Sequence, residues 1–252
     1  MKHLKKSSDY DEILLDKIRD SKLLLIDLDG TLINFEEIDH KIIEKVFFDK
    51  KRHRFIRLID KFLWWINRQD IIGNGYASLK LRLWAYSIMC GYAYGMCKAE
   101  YKELYQYWAE KALDKVLVED LSYLIDEGYK IKIATKNVYA INLLNNIKSN
   151  TYSKEVLDLI VLEENKKQTI KNWVKLYENK VCIIGNNFWD DILNAYRTKS
   201  TYVYIGFSKF VENVCGFFDS TKSKKRVPRK TGIQVESFEE IRKILMKEGD
   251  DK

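Results

Sequence analysis

The stretch Leu23-Leu24-Leu25-Ile26-Asp27-Leu28-Asp29-Gly30-Thr31-Leu32 decides how the rest of the chain is interpreted. Its four consecutive apolar residues end abruptly in acidic residues and a glycine. Such a pattern is typical of a strand that is buried on both faces and ends at a polar edge. Similar apolar runs, nearly continuous and followed by polar residues or glycine, recur at 131–134, 157–162, 181–184 and 202–205. Each is predicted to be a strand of the same kind.

Helical patterns lie between the later runs, at 118–127, 139–147, 168–177 and 190–196, and a further one follows at 238–246. Strands that alternate with helices predict an α/β fold with a Rossmann-like, doubly wound parallel sheet.

Residues 36–115 break this alternation, because they contain no strand-like run. Tyr101, Tyr105 and Trp108 show the spacing of one helix face there, and packing in a helical core is favoured for them over lining a substrate cleft. The sequence therefore predicts an α/β core domain made of 1–34 and 116–252. A helical cap domain at 35–115 would be inserted into it.

The composition is that of a globular chain, with 252 residues, 46% hydrophobic and 32% charged. No apolar run is long enough to span a bilayer, and an acidic segment at 9–12 stands where a secretory signal needs its apolar centre. The four cysteines form no C-x-x-C pair and the three histidines do not cluster, which disfavours a zinc site. We expect a cytoplasmic protein with free thiols.

The net charge of +7 comes partly from two basic runs, at 50–57 and 222–230. Such runs favour anionic partners, although each alone is more often a solvated face. The apolar stripe at 55–65 beside the first run could dock on a membrane, but burial inside the helical insert is the favoured interpretation. We expect no stable nucleic-acid or membrane partner, although the basic segments leave this open. The sequence does not give the oligomeric state.

Polar residues follow four of the predicted strands, and in a parallel sheet the strand ends meet at one edge. We therefore expect these side chains to converge. The residues are Asp27, Asp29, Gly30 and Thr31; Thr135, Lys136 and Asn137; Lys166 and Lys167; and Asn186, Asp190 and Asp191.

These residue types suit transfer of a phosphoryl group from a monoester. Asp27 can attack phosphorus as a nucleophile, and Asp29 can act as general acid and then as general base. The Thr135 hydroxyl and one lysine, Lys166 or Lys167, can hold the transferring oxygens. Gly30 permits a tight turn whose amide could approach the phosphate.

A hydrated Mg²⁺ is the predicted metal, because its preferred ligands are hard oxygens. Asp27, the Asp29 carbonyl and Asp190 or Asp191 are the candidate ligands, and Asn186 could bind a metal-bound water. A calcium loop is rejected, since Glu36 would occupy its last position but Leu25 its first, and leucine cannot ligate.

The chain resembles the haloacid-dehalogenase-like (HAD) superfamily of phosphohydrolases. The resemblance rests on Asp-Leu-Asp-Gly-Thr-Leu at 27–32, on Thr135, on the lysine at 166 or 167, and on Gly185 with Asp190 and Asp191. It implies an aspartyl-phosphate mechanism, Mg²⁺ and phosphomonoester substrates. The helical insert is similar to the C1 cap of that superfamily.

Two residues of the insert resemble substrate contacts of phosphoserine phosphatases. That resemblance implies that Glu36 contacts a substrate amine and that Arg82 binds a substrate carboxylate. Gly30, Thr31, Lys136 and Asn137 are further candidates for binding substrate. The chain departs from the superfamily at Asn186, where aspartate is usual, and at 135–137, where phosphoserine phosphatases have a glycine-rich turn.

Two hypotheses follow. The first is a Mg²⁺-dependent phosphatase that acts on a small phosphorylated metabolite. The alternative is a catalytically weak protein of the same fold that binds nucleic acid or anionic lipid through its basic segments.

Overall fold

The computed structural model describes residues 12–47, 53–68, 75–116, 120–143, 155–161, 166–205, 232–235 and 237–245. The basic run at 222–230 and the start of the run at 50–57 lie outside these residues, as do parts of the helices predicted at 118–127 and 139–147.

The strands are β1 (Leu23–Ile26), β2 (Lys130–Thr135), β3 (Leu157–Val161), β4 (Val181–Gly185), β5 (Thr201–Ile205) and β6 (Gly232–Val235). They form one parallel sheet in the order β3-β2-β1-β4-β5-β6. The order reverses at β1, so the crevice beside β1 is where a ligand of such a sheet binds. The predicted α/β fold is confirmed, with β6 as a strand that the sequence did not indicate.

The helices are α1 (Glu12–Arg19), α2 (Phe35–Phe47), α3 (His53–Arg68), α4 (Gly75–Cys90), α5 (Tyr94–Val116), α6 (Ser122–Asp126), α7 (Lys166–Leu176), α8 (Leu193–Thr198) and α9 (Phe238–Leu245). A 3₁₀ turn covers Val138–Asn142, and a π turn covers Phe188–Ile192. In the described residues, no helix is both long and apolar enough to cross a membrane.

Helices α2 to α5 form the predicted helical insertion directly after β1. Alternate residues of β1 point to opposite faces of the sheet. Leu24 and Ile26 belong to a hydrophobic cluster that continues through the insertion, whereas Leu23 and Leu25 pack with Ile170 of α7. The insertion thus shares a hydrophobic core with the sheet. Its treatment as a separate domain with boundaries at 35 and 115 stays a prediction.

Candidate active site

Asp27 follows β1 directly and pairs with the lysine that begins α7. The Lys166 ammonium lies 3.0 Å from Asp27 Oδ1 and also donates to Asp191 Oδ1. Burial raises the pKa of Asp27 and the charge of Lys166 opposes this rise, while Asp29 and Asp190 repel the charged form. Since charge repulsion requires proximity, these residues of three separate segments lie together at one edge of the sheet.

Lys166 is the lysine of the two candidates that reaches this edge, and its contact with phosphate stays a prediction. Lys166 is only 5% exposed, whereas Lys167 is exposed on the outside of α7. Burial alone would lower the pKa of Lys166, but the charges of Asp191 and Asp27 outweigh it and raise that pKa. Lys166 therefore stays an ammonium group inside the site.

The carboxylate of Asp191 is held in place by the backbone that follows β4. Its Oδ2 accepts a hydrogen bond from the Asn187 amide at 3.1 Å. A Cβ atom on Gly185 would lie 2.1 Å from the same oxygen, so a side chain at 185 would displace the carboxylate. Burial raises the pKa of Asp191, and the positive charge of Lys166 opposes this rise.

Asp29 is enclosed by hydrogen-bond donors from two directions. Tyr105 of α5 donates to its Oδ1 at 2.7 Å, and the Asn137 amide group donates to its Oδ2 at 2.8 Å. Burial raises the pKa of Asp29 to about 6, although hydrogen bonds from Tyr105, Asn137 and Thr135 favour the charged form. A carboxyl group with this pKa can exist in both protonation states near neutral pH.

Tyr105 is the functional candidate that the sequence did not identify. Its helical spacing with Tyr101 was interpreted as core packing, and both rings are indeed fully buried. The hydroxyl of Tyr105 nevertheless donates to Asp29. The hydroxyl of Tyr101, one turn earlier on α5, donates to Asp39. The tyrosine spacing was visible in the sequence, but nothing local showed that this helix face meets the end of β1.

The residues after β2 position their neighbours. Thr135 is 2% exposed, and its hydroxyl accepts a hydrogen bond from the Asn137 amide at 3.0 Å. The Asn137 side-chain oxygen accepts from the Tyr139 amide, which fixes its NH₂ group toward Asp29. Lys136 pairs with Asp190. Lys136 and Asn137, both predicted to bind substrate, thus have carboxylate partners within the protein.

Gly30 and Thr31 form the turn between β1 and α2. Gly30 has a φ of +83°, and a Cβ atom there would lie 2.0 Å from Asn186 Nδ2, so glycine is required on both grounds. Its amide donates to the Ile33 carbonyl at 2.7 Å, and the expected approach of this amide to a phosphate stays a prediction. The Thr31 hydroxyl points to Asn186 Oδ1 at 3.5 Å.

Arg82 has a different setting from the predicted one. Its guanidinium is enclosed in the insertion, where it donates to Asp39 and to Asp60, the latter at 2.9 Å from Nε. The side chain of Arg82 is 4% exposed and those of its partners are 0% and 2% exposed. Carboxylates of the chain itself therefore occupy this arginine, and its predicted contact with a substrate carboxylate stays a prediction.

Glu36, the other predicted substrate contact of the insertion, is half-buried near the start of α2. Its carboxylate lies 3.6 Å from His40 Nε2, and His40 Nδ1 lies 3.1 Å from Asp60. The predicted contact of Glu36 with a substrate amine stays a prediction.

The three predicted aspartate side-chain ligands of the metal all have lysine partners. Asp190 pairs with Lys136, and Asp191 and Asp27 both pair with Lys166. Asn186 directly follows β4, the neighbour of β1 in the sheet. Within the described ranges, no three histidine, cysteine or acidic side chains cluster as metal ligands. A site here would depend on few protein oxygens.

Comparisons with known proteins give matches among solved structures. Neither the models of known families nor the curated proteins give a match. Among solved structures, the HAD-hydrolase YfnB from Bacillus subtilis, bound to magnesium, is similar with a TM-score of 0.56 and 16% identity, over 89% of this chain and 98% of that one.

Two further solved structures are also similar. An assigned β-phosphoglucomutase from Thermotoga maritima gives a TM-score of 0.53 at 12% identity, over 89% of this chain and 98% of that one. An assigned phosphoglycolate phosphatase from Haemophilus somnus gives a TM-score of 0.50 at 14% identity, over 90% of this chain and 99% of that one. At these identities the likeness concerns the fold. The chain has the fold of the haloacid-dehalogenase-like superfamily, with a helical insertion after its first strand.

Proposed function

We propose that this chain is a cytoplasmic, Mg²⁺-dependent phosphatase that hydrolyses a small phosphorylated metabolite through an aspartyl-phosphate. The observation that carries the proposal is the arrangement around Asp27. A carboxylate at the end of the central strand is paired with the buried ammonium of Lys166. A second carboxyl group, Asp29, stands two residues away with a pKa raised to about 6 by burial. The three described cysteines are free, which suits a reducing compartment.

The first step would transfer the phosphoryl group to the protein. A carboxylate oxygen of Asp27 attacks phosphorus, and the bond from phosphorus to the ester oxygen breaks. Asp29 gives its proton to the departing oxygen, so that a neutral alcohol leaves. The raised pKa of Asp29 favours this role, because the protonated acid must be populated before the step.

The second step would release phosphate. The Asp29 carboxylate takes a proton from water, the water oxygen attacks phosphorus, and the bond to Asp27 breaks. Inorganic phosphate leaves, Asp27 is again a carboxylate and Asp29 is again protonated. Tyr105 and Asn137 hold Asp29 in one orientation throughout both steps, because each donates to a different oxygen of it.

Lys166 would offset the repulsion between an anionic nucleophile and an anionic phosphate. Its ammonium is fixed between Asp27 and Asp191, so it need not reorganise as charge develops on the transferring oxygens. The Thr135 hydroxyl, whose hydrogen bond goes to Asp29 in this structure, would turn to the phosphate oxygens when substrate binds.

The donor set fits Mg²⁺ bound largely through water. The site has four carboxylates, Asp27, Asp29, Asp190 and Asp191, against two ammonium groups, Lys136 and Lys166. It therefore has an excess of two negative formal charges when Asp29 is ionised and of one when Asp29 carries its proton, and either excess favours a bound cation. Mg²⁺ commonly uses one or two carboxylates and keeps several waters. Asp27, the Asp29 carbonyl and Asn186 would hold it, and it would supply Lewis-acid polarisation of the phosphate.

A panel of phosphomonoesters tests the proposal. Phosphoserine, sugar phosphates and nucleotides are incubated with the protein and Mg²⁺, with a parallel series in chelator. We expect release of phosphate from at least one ester, lost in chelator and restored by Mg²⁺. Asp27→Asn should abolish release, whereas Asp20→Asn, which changes an exposed aspartate before β1, should not. Full activity of Asp27→Asn would overturn the mechanism.

A further inference from the structure

Two helices of the insertion expose large apolar side chains. Phe55, Leu58 and Phe62 of α3 are 60%, 65% and 57% exposed. Leu81, Trp84 and Ile88 of α4 are 56%, 52% and 59% exposed. Each set has the spacing i, i+3, i+7, which places its three side chains on one face of its helix. Because α3 and α4 contact each other, these six residues of their exposed sides are together called the apolar face below.

The exposure does not result from loosely attached helices, because both helices bury their other side. Ile56 and Asp60 of α3 are at most 2% exposed, and Leu83 and Tyr86 of α4 are fully buried. The sequence favours burial of the stripe at 55–65 inside the insertion; Ile56 follows that expectation, Phe55, Leu58 and Phe62 do not, and the side chains at 63–65 lie outside the described residues. Exposed apolar patches of this kind mark interaction sites.

The exposed charged side chains that α3 and α4 themselves contribute are positive among the described residues. Arg57 and Lys61 of α3 and Lys80 of α4 are all exposed. Residues 50–68 contain seven basic residues and one acidic residue, Asp60, whose carboxylate is buried against Arg82. The sequence of α4 contains no acidic residue. In the described part of α3 and α4, the surface therefore combines apolar side chains with the positive charges of Arg57, Lys61 and Lys80.

This combination selects among the partners that could cover the face. A second copy of the chain would bring the positive charges of both copies together, which disfavours association. Nucleic acid would satisfy the charges and its bases could stack on the aromatic rings, but the aliphatic Leu58, Leu81 and Ile88 would gain no favourable contact. An anionic bilayer surface satisfies both, because acyl chains accept apolar groups and the headgroups attract lysine and arginine.

We propose that this chain docks on anionic membranes through the apolar face of α3 and α4. Phe55, Leu58, Phe62, Leu81, Trp84 and Ile88 enter the boundary between headgroups and acyl chains. Arg57, Lys61 and Lys80 contact the anionic headgroups. The binding is peripheral and reversible, and it does not depend on the proposed phosphatase activity.

Vesicle flotation of the full chain tests the proposal. Vesicles of phosphatidylcholine alone are compared with vesicles that also contain phosphatidylserine, at low and at high salt. We expect the protein to float with the anionic vesicles only, and to dissociate as salt rises. The double variant Leu58→Ser/Trp84→Ser should lose binding by about tenfold or more, since two large apolar groups no longer leave water.

Matched variants on α7 control for general surface effects. Leu176, which is 71% exposed, is changed to serine, and the exposed Lys175 is changed to glutamate. Both should bind vesicles as the wild type does. Lys61→Glu should weaken binding by about tenfold, because it reverses a charge at the membrane surface. Thermal melting checks that all variants remain folded.

Several outcomes would overturn the proposal. These are equal binding to neutral and anionic vesicles, no binding to either, or an unchanged affinity in the double variant. RNA binding without flotation would assign the basic surface to nucleic acid. A dimer that the double variant abolishes, again without flotation, would assign the apolar face to a second copy.

Discussion

Two buried clusters of this chain place a cation between two carboxylates, yet they differ in the exposure of those carboxylates and in their further hydrogen-bond donors. In the sheet, Lys166 lies between Asp27 and Asp191. In the insertion, Arg82 lies between Asp39 and Asp60. Both cations belong to helices, and both are 5% exposed or less at the side chain.

The insertion cluster has further donors for both carboxylates. Tyr101 donates to Asp39, Tyr86 donates to Asp60 at 2.6 Å, and both carboxylates are almost inaccessible. Asp27 keeps 13% exposure at the side chain, and its other close neighbours Asp29 and Asp190 are acidic. A closed ion-pair network of this kind holds helices together. An open one leaves a carboxylate that can react.

The largest expected effect comes from removing the open carboxylate. Asp27→Asn should lower phosphate release by at least about 10⁴-fold, because the nucleophile is lost. Its thermal stability should change little, because Lys166 keeps Asp191 as a partner and the repulsion from Asp29 and Asp190 is removed with the charge. In contrast, Asp39→Asn should lower the melting temperature while the folded fraction keeps its activity. Steady-state kinetics and calorimetry on both variants would show whether the two clusters divide in this way.

Arg82→Met should destabilise the fold by about 3–5 kcal/mol, because two buried carboxylates lose their cation. The exposed Lys80 on the same helix is the control, and Lys80→Met should change the free energy of unfolding by about 0.5 kcal/mol or less. Denaturant titration measures both values. A tenfold rise in KM for Arg82→Met without loss of stability would instead show that Arg82 contacts substrate.

Lys166→Met should lower kcat by about 10²–10³-fold, because a fixed positive charge beside the transferring phosphate is removed. Lys167→Met should have no measurable effect, since that side chain faces solvent. Initial rates with a saturating ester separate the two variants. Equal losses in both would contradict the assignment of Lys166 to the site.

The smallest effect concerns the pH dependence. Asp29 must be protonated to act as an acid, so kcat/KM should fall as pH rises through its pKa of about 6. The hydrogen bond from Tyr105 stabilises the charged form and lowers this pKa. Tyr105→Phe should therefore move the descending limb to higher pH, by about half a unit or more. Tyr101→Phe, one turn away, should leave the limb in place, and a shift in both would refute the argument.

The sequence predicted the five strands with continuous apolar runs, because burial on both faces leaves a strong local signal. It missed β6, whose four residues Gly232–Val235 include a glycine and a glutamine. The glycine is explained by packing, since a Cβ atom at Gly232 would lie 2.1 Å from the ring of Tyr202. Contacts with a residue 30 positions away leave no local pattern.

The sequence likewise predicts that the strand-end residues meet at one edge of the sheet, but it does not predict which side chains contact each other. The topology of a parallel sheet brings them to one edge, which the spacing of the runs already implies. Whether Lys166 or Lys167 turns inward depends on where α7 begins, and the setting of Arg82 depends on acidic partners 43 and 22 residues away. The contact of Tyr105 with Asp29 spans 76 residues and depends on how the insertion packs on the sheet.

Chemical trapping of the covalent intermediate tests the central claim most directly. The protein is reduced with borohydride during turnover of an active ester with Mg²⁺, and its peptides are mapped by mass spectrometry. We predict that Asp27 is converted to homoserine, since borohydride reduces acyl phosphates, and that no conversion occurs without substrate. Turnover with an unmodified Asp27, or with reduction at Asp29 or Asp191 instead, would contradict the account.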